Sequence, residues 1–336
     1  MNGPALAVSL GDPAGVGPEL VCEAWVRRDK EALPGYFAVG GAGLLAAAAK
    51  TRGLAVPIQQ ITDPAEAIAV FPHALPVLGE EDTEYRPGQP STDGARLALF
   101  SLTRATELAI NGFASGIMTG PIAKARLAEV GFHYPGQTEF VAAACNIAAQ
   151  DAVMLLAGPR LRTVPLTVHC ALADVPGLLS VDLIRNRARI TAEGLRRDLG
   201  IAQPRLAICA LNPHAGEEGR FGDEEGLIVA PAIAALRDEG IDATGPHPAD
   251  SLFAPHARET FDVAICMYHD QALIPLKALD FDNGVNMTLG LPIVRTSPDH
   301  GTAFAIAGRK QADPGALIAA IRLAGEAAFR RQGHSE

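Results

Sequence analysis

Residues 5–28 read ALAVSLGDPAGVGPELVCEAWVRR, and this stretch decides the class of fold. Residues 5–10 are small and mostly apolar, which predicts a short buried strand. A turn rich in glycine and proline follows at residues 11–19, and a helix begins near Pro18, a residue favoured in the first turn of helices. This order predicts one β-α unit of a parallel sheet. The turn could bring backbone N–H groups close to an anion, or it could be a tight turn without a ligand.

The same alternation of strands and helices continues along the chain. A strand at residues 37–39 ends in the glycine-rich residues 40–43, whose spacing lacks the G-x-G-x-x-G pattern of a dinucleotide fingerprint. Further helices are predicted at residues 92–110, 122–130, 140–149, 181–199 and 314–331. Further strands are predicted at residues 116–121, 153–157, 162–168, 205–211 and 261–267, the second and third of them as a hairpin. We therefore expect an α/β protein.

The composition argues against several classes of protein. The chain has 336 residues, enough for about two domains, and its net charge of −10 disfavours a general nucleic-acid binder, which needs a basic face. We expect no membrane span, because no apolar run reaches 18 residues. We also expect no secretory signal. The 5 cysteines occur in apolar runs without a C-x-x-C spacing. That pattern is typical of buried, reduced thiols in a cytoplasmic protein.

Three histidines each follow an apolar run of strand character. They are His169, His214 and His269. In an open α/β sheet, ligands bind outside the carboxyl ends of the strands. Three imidazoles placed there could bind one divalent cation and leave a position open for a substrate. Each histidine could equally be a hydrogen-bonded histidine of the core, because sequence spacing alone does not bring the three together.

Residues 267–308 carry many polar groups on a backbone rich in glycine and proline. This is expected for a segment whose backbone is shaped to hold particular side chains in place. Lys277 and Arg295 lie nine residues on either side of Asn286. Arginine can bind phosphate or carboxylate with two hydrogen bonds, and lysine acts as a point charge, so the two cations predict an anionic substrate. Each could instead pair with a nearby aspartate. Asp250 lies in a turn-rich loop, where it could assist proton transfer or cap a helix.

Several long motifs occur in a defined order along almost the whole chain. They are GDPAGVGPE at 11–19, TGPIAK at 119–124, PGQTEF at 135–140, LNPHAGEEGRFGDEE at 211–225, GPHPADSLF at 245–253 and the stretch 267–308. In sequence and in order, these motifs resemble those of the 4-hydroxythreonine-4-phosphate dehydrogenase family of pyridoxal phosphate biosynthesis.

The resemblance implies a fold and an assembly. The fold is similar to that of isocitrate and isopropylmalate dehydrogenases, with two α/β domains and the active site in the cleft between them. The domains are expected at residues 1–130 with 300–336 and at residues 131–299. The resemblance also implies a homodimer. His169, His214 and His269 would bind a divalent metal (zinc, magnesium or cobalt), with one histidine contributed by the partner subunit.

The resemblance further implies the reaction, which is oxidation of 4-phosphohydroxy-L-threonine at C3 with NAD or NADP, followed by decarboxylation to 3-amino-2-oxopropyl phosphate. Substrate contacts would come from Gln137, Thr138, Lys277, Asn286 and Arg295, and Lys277 would also serve catalysis. Asp250 is the second catalytic candidate.

One position departs from the family pattern. The family motif is PGHTEF, whereas this chain has Gln137, which cannot carry a positive charge. A sibling activity on threonate or erythronate 4-phosphate is therefore the alternative. A metal-dependent phosphohydrolase is a more distant alternative, and a non-enzymatic module that binds sugar phosphates is a weaker one.

Overall fold

The computed structural model of the chain describes residues 3–333, which divide into two compact units. The first unit contains the residues up to 149 and those from 291 onward, and the second contains residues 150–290. Both units contain strands and helices, which confirms the α/β class. In the described part of the chain, no helix is both long and apolar enough to cross a membrane.

The strands in chain order are β1 (Leu6–Ser9), β2 (Tyr36–Val39), β3 (Ile58–Ile61), β4 (Leu75–Leu78), β5 (Ile117–Thr119), β6 (Val153–Ala157), β7 (Arg162–Pro165), β8 (Arg205–Cys209), β9 (Asp242–His247), β10 (Val263–Cys266), β11 (Val285–Leu289) and β12 (Arg295–Pro298). The α-helices are α1 (Gly17–Val26), α2 (Ala42–Arg52), α3 (Ala67–Val70), α4 (Thr92–Ile110), α5 (Lys124–Ala128), α6 (Gln137–Ala144), α7 (Val175–Leu178), α8 (Val181–Leu199), α9 (Ala230–Asp238), α10 (Ala249–Leu252), α11 (Pro255–Arg258), α12 (His269–Asp280) and α13 (Gly315–Gln332).

In the first unit, the strands run in the order β3-β4-β2-β1-β5-β12 and all pair in parallel. β1, β2 and β4 are buried along their whole length, as expected for parallel strands covered on both faces. Their carboxyl ends therefore meet at one edge of the sheet. That edge carries the glycine-rich turn of residues 11–19.

Two glycines allow the turns after β1 and β5 to lie against each other. Gly11 has a φ of +69°, and a Cβ atom there would lie 2.3 Å from the carbonyl oxygen of Pro121. A Cβ atom on Gly120 would lie 2.5 Å from the carbonyl oxygen of Leu10. The backbone N–H of Asp12 then donates to the Pro121 carbonyl at 2.8 Å. Because only glycine fits at these contacts, the two turns form one packed edge.

In the second unit, the strands run in the order β11-β6-β7-β10-β8-β9. β11, β6 and β7 pair antiparallel, which confirms the predicted hairpin of β6 and β7, and the remaining pairs are parallel. Helix α12 packs against β7 and β10 and buries Ala272 and Leu276 in the core of this unit. This packing places the start of α12 at the carboxyl ends of two parallel strands.

The boundary between the units differs from the predicted one. Residues 131–149 and 291–299 belong to the first unit rather than the second. The reason is that β12 pairs in parallel with β5 and that α6 packs against α4, both of which are elements of the first unit. The pairing of β12 with β5 thus places the chain from residue 291 onward in the first unit.

The three longest predicted helices agree with the structure to within one residue, but several other helices were not predicted, among them α2 and α12. The bounds of α4 and α8 are the predicted ones, and the side chains of Ser91 and Ser180 accept hydrogen bonds from the first turns of these helices. Residues 269–280, within the polar stretch 267–308, form α12, with Pro275 inside the helix. The proline and the polar residues obscured the helical spacing of the buried side chains.

Candidate active site

Arg295, the first residue of β12, places a positive charge in the interior of the first unit. Its side chain is only 3% exposed. One guanidinium nitrogen, Nη2, donates to Thr119 Oγ1 at 3.0 Å, and Nη1 donates to Thr138 Oγ1 at 3.2 Å. Burial lowers the pKa of Arg295 to about 10, and the nearby charge of Glu139 partly opposes this fall. The guanidinium therefore stays charged at neutral pH at a cost in free energy.

Two predicted substrate-binding residues lie beside Arg295 at the start of α6. Thr138 accepts from the guanidinium, and the side-chain nitrogen Nε2 of Gln137 donates to the Gly120 carbonyl at 3.1 Å. Gly120 is itself part of the packed turn after β5. The structure thus brings Gln137, Thr138 and Arg295 together at one edge of the first unit, where a helix start and a buried cation both favour an anion.

His169 and His269 approach each other in the second unit. Their ring centroids are 5.9 Å apart, although the residues are far apart in the chain. The approach is fixed by the backbone, because Leu166 N–H donates to the Cys266 carbonyl at 2.8 Å and Thr167 Oγ1 donates to the Met267 carbonyl at 2.9 Å. His169 has a φ of +46°, a conformation that is strained for a residue other than glycine.

A carboxylate and a pocket adjoin this pair. Nδ1 of His269 lies 2.7 Å from Oδ1 of Asp270, a contact that orients the ring and leaves Nε2 for another ligand. Both histidines line a pocket of about 320 Å³. The pocket is also lined by Cys170, whose side chain is exposed, so the expectation of buried cysteines was wrong for this residue. Two imidazoles with a carboxylate on one of them fit a divalent cation in chemical type.

His214 is placed apart from this pair. It lies in the 3-10 turn Pro213–Gly216 with a φ of +53°, and its nearest aromatic neighbour is Phe221, at 6.2 Å between ring centroids. Within residues 3–333 of a single chain, no three histidine, cysteine or acidic side chains are grouped so that they could hold a metal ion. The three strand-end histidines therefore do not form one cluster in these residues.

Three further predicted residues belong to the second unit. Lys277 is half-buried on α12, and its Nζ lies 5.9 Å from the ring of Phe281. Asn286 lies on β11, and its Oδ1 is buried without a hydrogen-bond partner in the described part of the chain. Asp250 is exposed on α10, where its Oδ1 accepts from the Ser251 N–H at 2.8 Å. The buried Asn286 oxygen is the feature of this group that needs a ligand or a water molecule.

The glycines at residues 40–43 serve a structural purpose. Gly41 precedes α2 in the left-handed conformation, and the first amides of the helix are bound by Asp82. Its Oδ2 accepts from Gly43 N–H at 2.6 Å and its Oδ1 from Leu44 N–H at 3.2 Å. The amides that a cofactor phosphate would need at this helix start are therefore bound to a carboxylate.

Two residues at the carboxyl-terminal edge of the first unit's sheet were not predicted as site residues from the sequence. Thr119 binds the guanidinium of Arg295, and Asp12 is 2% exposed with a carboxyl pKa raised by burial. Both lie in motifs that had been recognised, TGPIAK and GDPAGVGPE. The available signal was that each directly ends or follows a buried strand, as the three histidines do.

Comparison with known proteins identifies the family. Residues 33–324 match the family described as pyridoxal phosphate biosynthetic protein PdxA. A protein of Erythrobacter litoralis named 4-hydroxythreonine-4-phosphate dehydrogenase is 62% identical over 326 residues, which is 97% of each chain. A protein of the same name from Zymomonas mobilis is 52% identical over 332 residues, 98% of each chain. A crystal structure of 4-hydroxythreonine-4-phosphate dehydrogenase from Klebsiella pneumoniae is 36% identical, with a TM-score of 0.85 over 98% of this chain and 99% of the other. This chain therefore belongs to the PdxA family of pyridoxal phosphate biosynthetic proteins.

Proposed function

We propose that this protein is a cytoplasmic enzyme of pyridoxine 5'-phosphate biosynthesis that oxidises 4-phosphohydroxy-L-threonine at C3. The alcohol loses a hydride from C3 to NAD or NADP and a proton from its oxygen. The resulting β-keto acid loses CO2 and gains a proton at C2, giving 3-amino-2-oxopropyl phosphate. Family membership supports this substrate. The observation that carries the proposal is the buried guanidinium of Arg295, because the substrate bears a phosphate and a carboxylate.

Arg295 and Thr138 would bind one of these anionic groups. The guanidinium contacts Thr138 Oγ1 at 3.2 Å, so the hydroxyl group of Thr138 uses a lone pair on arginine and keeps its proton to donate. A guanidinium and a hydroxyl side by side offer several donors to one phosphate or carboxylate. Because the guanidinium of Arg295 is buried, each of these hydrogen bonds is stronger than it would be in water.

His169, His214 and His269 are the proposed ligands of a divalent cation, zinc, magnesium or cobalt. The donor types and the Asp270 contact to His269 support this assignment. Such a cation, when bound, would polarise the C3 oxygen and stabilise the negative charge left when CO2 departs. Because the described residues of a single chain do not group the three histidines, we propose that the partner subunit of a homodimer completes the set.

The homodimer is supported by exposed apolar side chains in the second unit. Four of them are at least 65% exposed, Leu172, Leu227, Ile274 and Phe281. Burial of such side chains against a second copy would remove apolar area from water, which stabilises association. Leu172 lines the same pocket as His169 and His269. An interface that covers it would exclude water from the proposed metal site.

Lys277, Asn286 and Asp250 would act on the reacting part of the substrate. Asn286 Oδ1 is a buried acceptor and suits a hydroxyl group. Lys277 would donate a hydrogen bond to the developing carbonyl oxygen or to an anionic group. Asp250 is exposed and would exchange protons with solvent. The nicotinamide cofactor would itself supply the hydride acceptor.

The experiment that tests the proposal measures NADH or NADPH formation with 4-phosphohydroxy-L-threonine, and with threonate and erythronate 4-phosphates in parallel. We expect turnover of the first substrate, its loss after treatment with a chelator, and recovery with zinc, magnesium or cobalt. Faster oxidation of threonate or erythronate 4-phosphate would favour the sibling activity. That alternative was raised because this chain has Gln137 where the family motif has histidine. Phosphate release without added nicotinamide cofactor would identify a phosphohydrolase instead.

The metal assignment has its own control. His214→Ala should lower the metal content of the purified protein, measured by elemental analysis, together with turnover. His256→Ala, a change of the same kind at an exposed histidine outside the proposed site, should alter neither quantity. Unchanged metal content and turnover in His214→Ala would refute the role of this histidine.

A further inference from the structure

The loop that carries His214 has an unusual backbone conformation. All six residues from 214 to 219 have positive φ values, which lie between +42° and +89°. Four of them are residues other than glycine, for which the left-handed conformation is costly. Such residues keep this conformation only where the surrounding structure determines it. We therefore expect strong contacts around this loop.

The carboxylate of Glu225 holds the chain just before this loop. Glu225 is 5% exposed and begins the π-helical turn Glu225–Val229. Its Oε1 accepts from the backbone N–H groups of Leu211 and Asn212, both at 2.8 Å. Its Oε2 accepts from Nδ2 of Asn212 at 3.0 Å. These three hydrogen bonds fix the direction in which the chain leaves β8.

The same carboxylate also supports the middle of the loop. Gly216 is buried, and a Cβ atom there would lie 2.7 Å from Oε2 of Glu225, so the backbone passes directly over the carboxylate. The Gly216 carbonyl in turn accepts from the N–H groups of Gly219 at 3.0 Å and Phe221 at 3.1 Å. The imidazole of His214 is exposed, so the backbone on either side sets its position.

We infer that Glu225 is a positioning residue for His214, and that its carboxylate holds the loop in the conformation that presents this imidazole to a divalent cation. The inference rests on the proposed function, in which His214 is a metal ligand. Both oxygens of Glu225 already accept hydrogen bonds from residues 211 and 212, so Glu225 acts through the backbone and not as a ligand itself. A ligand whose direction is fixed before the metal arrives binds it more tightly, because less conformational freedom is lost on binding.

The test compares two small changes of the same side chain. Glu225→Asp keeps the charge but shortens the side chain, so the carboxylate no longer reaches both backbone N–H groups. Glu225→Gln removes the charge but keeps the length, and its amide oxygen can accept both backbone hydrogen bonds. Glu218→Asp, the shortening of an exposed glutamate in the same loop, is the matched control.

Binding of Co²⁺ to the metal-free, full-length protein is measured by isothermal titration calorimetry, and the visible spectrum of bound Co²⁺ reports the geometry of its ligands. We expect Glu225→Asp to bind Co²⁺ about 10-fold to 100-fold more weakly than the wild-type protein, the usual loss when a group that orients a metal ligand is removed. Its Co²⁺ spectrum should change as well. Glu225→Gln should bind several-fold more tightly than Glu225→Asp, and Glu218→Asp should bind like the wild-type protein.

Hydrogen exchange distinguishes positioning from a purely structural role. In the metal-free protein, the amides of residues 211–219 should exchange faster in Glu225→Asp than in the wild-type protein. Faster exchange with unchanged Co²⁺ affinity would mean that Glu225 only stabilises the loop. Equal weakening of Co²⁺ binding by Glu225→Asp and Glu225→Gln would mean that the charge acts and not the hydrogen bonds to the backbone. Either result overturns the inference.

Failure of the proposed metal site is a separate result. It would appear as no binding of Co²⁺ by the wild-type protein, and the inference would fall with it. Normal binding by the wild-type protein together with unchanged affinity in Glu225→Asp would overturn the inference alone and leave the proposed metal site intact.

Discussion

Replacing Arg295 by methionine is expected to weaken anion binding strongly with little loss of stability. The guanidinium is 3% exposed, and burial lowers its pKa from 12.5 to about 10. A fall of that size corresponds to about 3 kcal/mol of unfavourable free energy for the charged form in the folded protein at neutral pH. Methionine removes this cost and fills much of the same space.

The lost hydrogen bonds act in the opposite direction. The guanidinium donates to the hydroxyls of Thr119 and Thr138, and a hydrogen bond from a charged donor contributes about 1.5 kcal/mol or more. Two such bonds amount to about 3 kcal/mol, so the two effects offset each other to within about 1–2 kcal/mol. We therefore expect the Tm of Arg295→Met to differ from that of the wild-type protein by only a few degrees.

Binding should change far more than stability. Removing a buried charge that meets an oppositely charged ligand costs about 2–5 kcal/mol, which is a loss of about 30-fold to several thousand-fold in affinity. Calorimetric titration with 4-phosphohydroxy-L-threonine measures this loss, and kcat/KM gives it independently. Arg295→Lys is the matched control. It keeps the charge but loses the planar fork, so its affinity should lie between those of the other two proteins.

The opposite pattern would refute this account. If Arg295→Met lowered the Tm by more than about 10 °C while ligand affinity remained within a factor of three, the guanidinium would be a structural element of the first unit, since ~1 kcal/mol shifts the Tm of a domain this size by only ~2–4 °C. Scanning calorimetry and titration on the same preparation separate the two results.

Two further predictions concern charge and assembly. Burial raises the pKa of the Asp12 carboxyl, so in the wild-type protein stability decreases as the pH rises above the ordinary value of 3.8, where the folded state binds more protons than the unfolded state. Asp12→Asn should keep an acceptor for the Ala14 N–H. In urea unfolding at pH 7.5 the variant should be more stable than the wild-type protein, and the difference should be smaller at pH 4.5. A difference in stability that does not depend on pH would contradict this prediction. Ile274→Asp should shift the protein from dimer to monomer in sedimentation velocity. The control Ile68→Asp changes an exposed isoleucine of the first unit and should leave the dimer intact. A wild-type protein that sediments as a monomer would disprove the dimer.

Local signals allowed much of the secondary structure to be predicted. Helices α4 and α8 have strong helical periodicity, and each is preceded by a serine that caps it, so their bounds follow from neighbouring residues. Helix α12 has the same kind of buried face but contains Pro275, and the local signal was therefore contradictory. The packing of this helix against β7 and β10 overrides the proline.

The candidate site, too, could be predicted from the sequence only in part. The residue types alone indicate anion and metal chemistry, and the motif order identifies the family. Which residues meet depended on contacts between distant parts of the chain. His169 and His269 approach each other because hydrogen bonds join residues 166–167 to residues 266–267, and nothing in the spacing predicts that His214 lies apart.

The sequence by itself determined the α/β class and the family, and it predicted the chemical character of the candidate site, because periodicity, capping and long motifs are properties of neighbouring residues. Only the tertiary structure decided the burial of Arg295, the direction of the Gln137 amide and the strand pairing that returns β12 to the first unit. These are decided by which strands pair and which turns pack together. The glycine-rich turn of residues 11–19 combines both kinds of information, since its glycines are visible in the sequence and their purpose becomes clear only from the contact with Gly120 and Pro121.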